Sequence, residues 1–530
     1  MAGGDISEKL PYLRTESRCP ALLPLHTRPL ASYVIDFYRA NHDVHLFVNE
    51  EFRDLVAQEI PALRNGYTLH GVGPSDGVVA TLRMAMAAVP EAEDIIVNLV
   101  TTVPVSAPTL GEVQVAHLPL HHALDCSALL GDSSSYLQFY AKGEARPDDA
   151  RAFTGVFRLR AESLHQAILA APRVNDLLSV LEQASLFGHL NVQQVDWIDC
   201  GHESNYYRSR AALINSRSFN KLHVDTHRGT IIKSSSEKTK LAHEVAYLET
   251  LPADLRVLYP RLVSVSGTRG KVDSYEMEYY GYPNLAEYLL YWSLSKESWW
   301  RCFDSLDSTL SLLRAHRTTA GIASYRDFHW EKTIRRIDQY LSSITDPSLR
   351  DALSSSSLRI GHETCAPLPQ LLEQAEKVIL GGYRESEFSV VHGDFCFNNI
   401  LFDVSSGIIR LIDPRGSFGP TYPGTWGDRR YDLAKLAHSS IGGYDFMVNG
   451  LFTVQRQADA HFDLILCQRS NAAWLAEMTD WLIQSQQADP REIAVMTALL
   501  FLSMCPLHAD DSSRQLAFFL RGLQLLQKSL

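Results

Sequence analysis

The chain has 530 residues, of which 45% are hydrophobic and 10% aromatic, so it can bury substantial cores in about three or four folding units. Its formal net charge of -12 at pH 7 argues against nucleic acid or an anionic membrane surface as the main partner. The eight cysteines are scattered without a Cys-x-x-Cys pair, which excludes a typical structural zinc site or disulfide framework.

The N-terminus lacks a basic segment followed by an apolar core, so no secretory signal is predicted. The longest apolar stretch, residues 494–507, contains Thr497 and Ser503 and is closed by Pro506. It is too short to cross a bilayer. We therefore expect a cytoplasmic chain without a membrane span, and self-association is left open.

Residues 1–205 alternate between strand-like and helix-like patterns. Strands are predicted at residues 43–48 and 95–99, and helices at residues 51–58 and 78–88. Alternation of this kind favours a parallel α/β sheet. We therefore predict that residues 1–205 form a separate α/β domain.

Three stretches of this domain resemble sugar-nucleotide nucleotidyltransferases, which have a GT-A-like, Rossmann-like fold. They are the proline-containing segment at residues 20–30, Thr-Gly-Val-Phe at residues 154–157 and Asp-Cys-Gly-His at residues 199–202. The resemblance implies that Asp199 is the candidate metal ligand of the N-terminal domain.

The same segment departs from that family at two places. Residues 8–15 lack the glycine-rich loop that wraps nucleotide phosphates with backbone amides. The central strand continues into Thr101 instead of ending in an aspartate, and a hydroxyl cannot replace an ionised carboxylate as a strong Mg²⁺ ligand. The domain is either a degenerate nucleotidyltransferase, retained for binding or assembly, or one whose donor loop is built differently.

Two further patterns in this domain have ordinary explanations. The glycine-rich residues 71–77 precede a helix, but Pro74 removes an amide donor and no Walker lysine follows, so a plain capped loop is favoured. Residues 117–125 contain three histidines and an aspartate, but Pro119 interrupts the helix that would align them.

The next patterned segment is a β-branched run at residues 230–235 that carries Lys233. A helical pattern with Glu244 follows it. A strand-like run at residues 275–281 contains Glu278 and Tyr280. Taken alone, the lysine and the glutamate would be solvated surface residues, as most charged residues are.

The most informative motif is His392-Gly393-Asp394, with Asn399 five residues after the aspartate and Asp413 fourteen residues further on. Short β-rich runs flank these polar positions. Phosphoryl transfer to a hydroxyl needs one carboxylate to orient the hydroxyl or accept its proton. It also needs an amide and a second carboxylate to hold Mg²⁺ on the nucleotide phosphates.

Together with Gly-Asp-Arg-Arg-Tyr-Asp-Leu-Ala at residues 427–434, this motif resembles the aminoglycoside phosphotransferase and choline kinase superfamily. The resemblance implies a bilobal, protein-kinase-like fold in which Asp394 is the catalytic base. Asn399 and Asp413 would be the metal ligands, and Asp432 would steady the catalytic loop.

The resemblance also implies an N-lobe at residues 206–283 and a C-lobe at residues 284–530. Lys233 would then bind the nucleotide phosphates, with Glu244 as its partner. The strand and hinge with Glu278 and Tyr280 would hold adenine through backbone hydrogen bonds.

Basic residues near the motif are candidates for the acceptor pocket. Arg415 could contact a phosphate or acceptor hydroxyls, or it could form an internal ion pair with Asp394 or Asp428. The helix predicted at residues 330–344 carries Lys332, Arg335 and Arg336, which could meet an anionic acceptor or form a solvated face.

The two resemblances together imply a kinase dependent on ATP and Mg²⁺ that phosphorylates a hydroxyl of a sugar, polyol or amino-alcohol. Joining them points to capsule polysaccharide, other surface polysaccharide or lipid-headgroup biosynthesis. One alternative is a bifunctional kinase and nucleotidyltransferase that makes an NDP-activated product. A second alternative is a non-catalytic nucleotide-binding scaffold.

Overall fold

The computed structural model divides into two compact units, Met1–Leu213 and Ile214–Leu530. The domain boundary expected after residue 205 lies inside the last helix of the first unit, Glu203–Ala212. The structure describes the following residues: 19–26, 28–61, 65–73, 77–90, 92–117, 126–131, 137–171, 176–213, 220–268, 270–292, 294–419, 424–467 and 472–530.

The first unit mixes strands and helices. Its strands are β1 Pro24–Leu25, β2 Arg28–Pro29, β3 His45–Asn49, β4 Thr68–Val72, β5 Asp94–Asn98, β6 Thr102–Val103, β7 Glu112–Ala116, β8 Ala128–Leu130, β9 Gln138–Tyr140, β10 Arg151–Arg160, β11 Asn191–Gln194 and β12 Ile198–Asp199. Its α-helices are α1 Leu30–Tyr38, α2 Arg53–Glu59, α3 Val78–Ala88, α4 Ala161–Ala170, α5 Leu178–Phe187 and α6 Glu203–Ala212.

The central sheet of the first unit has the strand order β11-β7-β10-β8-β9, with β5 also paired to β10. The expectation of a parallel sheet is wrong for most of it, because β10 runs antiparallel to β5, β7 and β8. Parallel pairing occurs between β7 and β11 and between β3 and β4, where α2 supplies the crossover. Alternation of strand and helix extends only through β5. In the described residues no α-helix lies between β6 and β10, and α4 and α5 then separate β10 from β11.

Apolar side chains fill the space between this sheet and its helices. Val79 and Leu82 of α3, Phe157 of β10, Leu164 of α4 and Leu181 of α5 belong to one buried cluster. Burial of large aliphatic and aromatic side chains of this kind stabilises each by roughly 1.5–3 kcal/mol.

The second unit also mixes strands and helices. Its strands are β13 Asn220–Asp225, β14 Thr230–Ser235, β15 Leu262–Thr268, β16 Lys271–Glu278, β17 Leu358–Ile360, β18 Glu363–Cys365, β19 Phe388–Val390, β20 Ile400–Asp403, β21 Ile408–Leu411, β22 Trp426–Asp428, β23 Phe452–Ala458 and β24 His461–Leu466. Its α-helices are α7 Lys238–Thr250, α8 Leu285–Tyr291, α9 Lys296–Ala315, α10 Ile322–Arg326, α11 Lys332–Ser343, α12 Pro347–Ser355, α13 Leu368–Gly381, α14 Arg429–Ser440, α15 Tyr444–Val448, α16 Ala472–Ser485, α17 Pro490–Met504 and α18 Ser512–Ser529.

The second unit begins with an antiparallel sheet in the order β13-β14-β16-β15. Ile231 of β14, Leu241 and Val245 of α7, and Tyr275 and Met277 of β16 form one buried cluster, which fixes α7 against the sheet. The residues after this sheet are mainly helical, and two short strand pairs, β19–β22 and β20–β21, flank the polar motif.

One helical segment, Pro490–His508, is long and apolar enough to cross a membrane by length and composition alone. It is longer than the apolar stretch at residues 494–507 identified from the sequence, because the helical structure extends beyond that stretch on both sides. In its most apolar window, 72% is buried inside the protein, which is typical of a core helix.

Candidate active site

The loop that carries Asp394 is held in place by a carboxylate of α14. The backbone N–H groups of His392 and Gly393 donate to Asp432 Oδ2 at 2.7 Å and Oδ1 at 2.8 Å. The loop is therefore fixed at the two residues that precede Asp394 in the chain.

His392 joins this loop to the segment before Asp413. Its Nε2 donates to the Ile412 carbonyl at 2.9 Å, and the backbone N–H of Asp394 donates to its Nδ1 at 3.2 Å. These partners require a neutral ring protonated at Nε2. Burial lowers the pKa of His392, which agrees with that assignment.

Asn399 stands beside Asp394, as the spacing of the motif predicts. Its Nδ2 donates to Asp394 Oδ2 and to the Asp394 carbonyl, both at 3.0 Å. Ile412 N–H donates to the Asn399 carbonyl at 3.0 Å, so the strand that leads to Asp413 is attached directly to this turn.

Lys233 lies between two carboxylates. Its Nζ is 2.7 Å from Glu244 Oε2 on α7 and 2.9 Å from Asp413 Oδ1. The Lys233 side chain is only 3% exposed, and although burial opposes it, Asp413 and Glu244 together raise the pKa of Lys233 above its usual range. Tyr275 OH also donates to Glu244 Oε2, at 3.0 Å.

The backbone after Ile412 has a conformation that allows Asp413 to contact Lys233. Asp413 has a φ of 55°, a conformation that is uncommon for residues other than glycine. Gly416 has a φ of 68°, and a Cβ atom there would collide with the His243 carbonyl of α7. The absence of a side chain thus lets α7, with Glu244, approach the Asp413 segment.

The side chains of Asn399 and Asp413 have the chemistry expected for Mg²⁺. They offer an amide oxygen and a carboxylate, which are hard donors, and the Asp413 side chain is 42% exposed. Among the described residues no group of three or more His, Cys, Asp or Glu side chains could hold a metal ion. A two-residue donor set fits an ion whose other ligands are phosphates and water.

Lys435 is part of this site, although the sequence motifs assigned it no role. Its Nζ lies 2.8 Å from Asp394 Oδ1, and its side chain is only 10% exposed. Asp432, Lys435 and Ser439 occupy one face of α14, and Ser439 Oγ accepts a hydrogen bond from Phe397 N–H. The spacing of three residues from Asp432 to Lys435 and of four from Lys435 to Ser439 was the available signal.

The two predicted hinge residues lie at the end of β16. Glu278 Oε2 accepts hydrogen bonds from Arg261 N–H at 3.0 Å and from Tyr280 OH at 3.1 Å. The Arg410 guanidinium lies 5.0 Å from the Tyr280 ring centroid. These contacts order the hinge, and its adenine-binding role stays a prediction.

Arg415 follows the predicted metal ligand and lies over aromatic rings. Its backbone N–H donates to the His392 carbonyl at 2.9 Å, and its Nη1 donates to Tyr431 OH at 3.3 Å. Asp428, one of its two predicted ion-pair partners, instead binds Arg430 through two guanidinium contacts of 2.8 and 2.9 Å.

In the first unit, Asp199 is almost fully buried and engaged in local hydrogen bonds. Its Oδ1 accepts from Gly201 N–H at 2.8 Å, and its Oδ2 accepts from Asn205 Nδ2 at 2.9 Å and contacts His202 Nδ1 at 2.6 Å. The Asp199 hydrogen bond is the main cause that raises the pKa of His202 to about 10. Thr101, three residues after the end of β5, also flanks Gly201 and therefore lies near Asp199.

Two of the segments discussed above lie partly outside the described residues. They are the glycine-rich segment at residues 71–77, of which residues 74–76 are not described, and the histidine-containing segment at residues 117–125, of which residues 118–125 are not described.

Residues 254–464 match the model of the phosphotransferase enzyme family. No curated protein matches the chain by sequence. One similar solved structure is a thermostable mutant of aminoglycoside phosphotransferase APH(4)-Ia in a ternary complex with AMP-PNP and hygromycin B. It is 12% identical, covers 60% of this chain and 92% of its own, and has a TM-score of 0.38.

Two nucleotidyltransferase structures are similar to the N-terminal part. UDP-glucose pyrophosphorylase from Acinetobacter baumanii is 14% identical over 40% of this chain and 90% of its own, with a TM-score of 0.29. Inositol-1-phosphate CTP transferase from T. maritima is 14% identical over 39% of this chain and 92% of its own, with a TM-score of 0.33.

Proposed function

We infer that the C-terminal unit, a kinase-type phosphotransferase by its family match, transfers the γ-phosphoryl group of ATP to a hydroxyl of a small molecule. The observation that carries this proposal is the position of the Lys233 ammonium, which contacts both Glu244 and Asp413 within 3 Å. It brings together the predicted phosphate-binding lysine, its glutamate partner and a predicted metal ligand, which in kinase-type phosphoryl transfer act on the same nucleotide phosphates.

In the proposed reaction the acceptor oxygen attacks the γ-phosphorus, and the bond to the β,γ-bridging oxygen breaks to release ADP. Asp394 orients the hydroxyl and accepts its proton. Lys233 binds the nucleotide phosphates while Glu244 and Tyr275 hold its position. Asn399 and Asp413 would hold Mg²⁺, which neutralises phosphate charge when bound.

We further propose a sugar, polyol or similar alcohol as acceptor, in surface-polysaccharide or lipid-headgroup assembly in the cytoplasm. The N-terminal unit would serve binding or assembly. Both Asp199 oxygens are engaged in hydrogen bonds, and its neighbour Thr101 supplies a hydroxyl where a second carboxylate would strengthen a metal site. This arrangement disfavours the bifunctional alternative.

The test is ³¹P NMR and mass spectrometry of a panel of alcohols and sugars incubated with ATP, Mg²⁺ and the full chain. We expect a phosphorylated product that the native protein makes and that Asp394→Asn does not. ATP binding without any phosphorylated product across the panel would favour the scaffold alternative. Pyrophosphate release from CTP, lost in Asp199→Ala but kept in Asp394→Asn, would establish the bifunctional one.

A further inference from the structure

Two basic side chains near the catalytic loop contact a pair of aromatic rings, and a third, Arg336, which donates to the Ser503 carbonyl at 3.4 Å, lies near both of them. We call Lys332, Arg336 and Arg415 the basic cluster. Lys332 Nζ lies 3.5 Å from the centroid of the Phe328 ring and 5.5 Å from that of Tyr431.

Arg415 approaches the same two rings. Its Cζ atom is 4.9 Å from the Phe328 centroid and 5.9 Å from the Tyr431 centroid. Cation–π contacts of this type partly compensate a cation for lost hydration. These cation–π contacts provide no full negative charge to balance the three neighbouring cations.

Lys332 is the least compensated member of the cluster. Its ammonium forms no hydrogen bond or ion pair with any residue that the structure describes. Burial, followed by the charges of Arg415, Arg336 and Lys435, holds the pKa of Lys332 well below its usual range, and Asp327 is the acid that opposes them. An anion bound beside Lys332 would relieve this repulsion.

The neighbouring Arg335 provides a contrast on the same helix. Its guanidinium points to the surface, where it pairs with Asp327 at 3.1 Å and approaches Glu331 at 4.0 Å. The exposed basic residue of α11 is thus neutralised by acids, whereas Lys332 lies over aromatic rings.

The basic cluster is connected to the proposed catalytic base through α14 and through the catalytic loop. Tyr431, which accepts the Arg415 hydrogen bond, lies one helical turn before Lys435 on α14, and Lys435 contacts Asp394. The Arg415 backbone also binds the His392 carbonyl, two residues before Asp394. Arg415 of the basic cluster and Asp394 are therefore held by the same loop and by the same helix, α14.

We propose that the acceptor carries an anionic group, a phosphate or a carboxylate, which Lys332, Arg336 and Arg415 bind while the hydroxyl faces Asp394. The proposal rests on the kinase function inferred above and narrows its substrate class. Acidic sugars and phosphorylated polyols fit the basic cluster, whereas an amino-alcohol would bring a further cation into it and be repelled.

A binding experiment tests the cluster without a known acceptor. Inorganic phosphate would be titrated calorimetrically into the full chain with saturating ADP and Mg²⁺, so that the nucleotide site is already filled. We expect Lys332→Met to weaken phosphate binding at least tenfold, while Arg335→Met, the matched control, leaves it within twofold. Equal binding by the native protein and Lys332→Met would overturn the proposal.

A turnover experiment separates the two anion types and distinguishes this proposal from the kinase function itself. ADP release would be compared for glycerol, glycerol 3-phosphate, glycerate and ethanolamine, and for glucose, glucose 6-phosphate and glucuronate. In the glycerol set or the glucose set, we expect an anionic compound to have a higher kcat/KM than the neutral and cationic ones. Lys332→Met should raise the KM for that anionic compound at least tenfold. Asp394-dependent turnover that prefers a neutral or cationic alcohol would refute the anionic acceptor and leave the kinase function standing.

Discussion

The two partners of the Asp394–Lys435 ion pair are buried to different extents. The Lys435 side chain is 10% exposed, whereas that of Asp394 is 37% exposed. Substitution of either residue breaks the same 2.8 Å contact but leaves a different charge behind. Asp394→Asn leaves a buried ammonium, and Lys435→Met leaves a carboxylate that water can reach.

The costs in free energy of unfolding should therefore be unequal. Loss of one partner from a buried pair costs about 3–5 kcal/mol, and we expect about 3 kcal/mol for Asp394→Asn. Exposed pairs are worth about 0–1 kcal/mol, so Lys435→Met should cost about 1 kcal/mol. The double variant has no unpaired charge and should cost no more than about 1 kcal/mol, which gives a coupling of about 3 kcal/mol.

Urea unfolding followed by tryptophan fluorescence is a suitable measurement. Seven of the eight tryptophans lie after residue 213, so the signal reports mainly on the C-terminal unit. An equal cost for Lys435→Met and Asp394→Asn, or single costs that add up to that of the double variant, would show that the difference in burial does not determine the stability of this pair.

Two further predictions concern the same unit. Tyr275→Phe removes a buried hydrogen bond to the Glu244 carboxylate, so the free energy of unfolding should fall by about 1.5 kcal/mol in the same fluorescence assay. MgATP binding, measured by calorimetry, should also weaken. Unchanged values for both would contradict the role of Tyr275 in holding Glu244. Burial lowers the pKa of His329, His392 and His438 from the ordinary value of 6.5, so each of these rings binds fewer protons in the folded state, and its contribution to stability should decline as pH falls below about 6.5. His438→Leu should reduce that decline by up to about 1.4 kcal/mol per pH unit, and an unaltered slope would show that His438 does not contribute.

The sequence predicted the site residues whose spacing along the chain determines where they lie in space. Asp394 and Asn399 share one short turn, and a hairpin returns the chain to Asp413, so a local pattern is enough to bring them together. The pairing of Lys233 with Glu244 was also accessible, because a strand followed by a helix that packs on it limits the positions that can meet.

Other features depend on how distant elements pack, which the sequence pattern does not encode. The sequence pattern around Lys435 is that of an ordinary helical lysine. Its contact with Asp394 depends on the packing of α14 against the catalytic loop. The antiparallel β10 in the first unit was missed because strand-helix alternation does not specify strand direction after β5. The aromatic contacts of Lys332 depend on the meeting of α11 and α14.

Gly416, three residues after Asp413, shows how a backbone position outside the motif helps to form the site. Alanine at Gly416 would meet the His243 carbonyl and push α7 away, and with it Glu244. Gly407 is a matched control, because it has a similar φ of 74° but no atoms within 4 Å of a Cβ at that position. Both substitutions should cost about 1–2 kcal/mol in backbone strain, but only Gly416→Ala should weaken MgATP binding, by roughly tenfold or more. Equal MgATP affinities in the two variants would mean that contact between α7 and the Asp413 segment does not position Lys233.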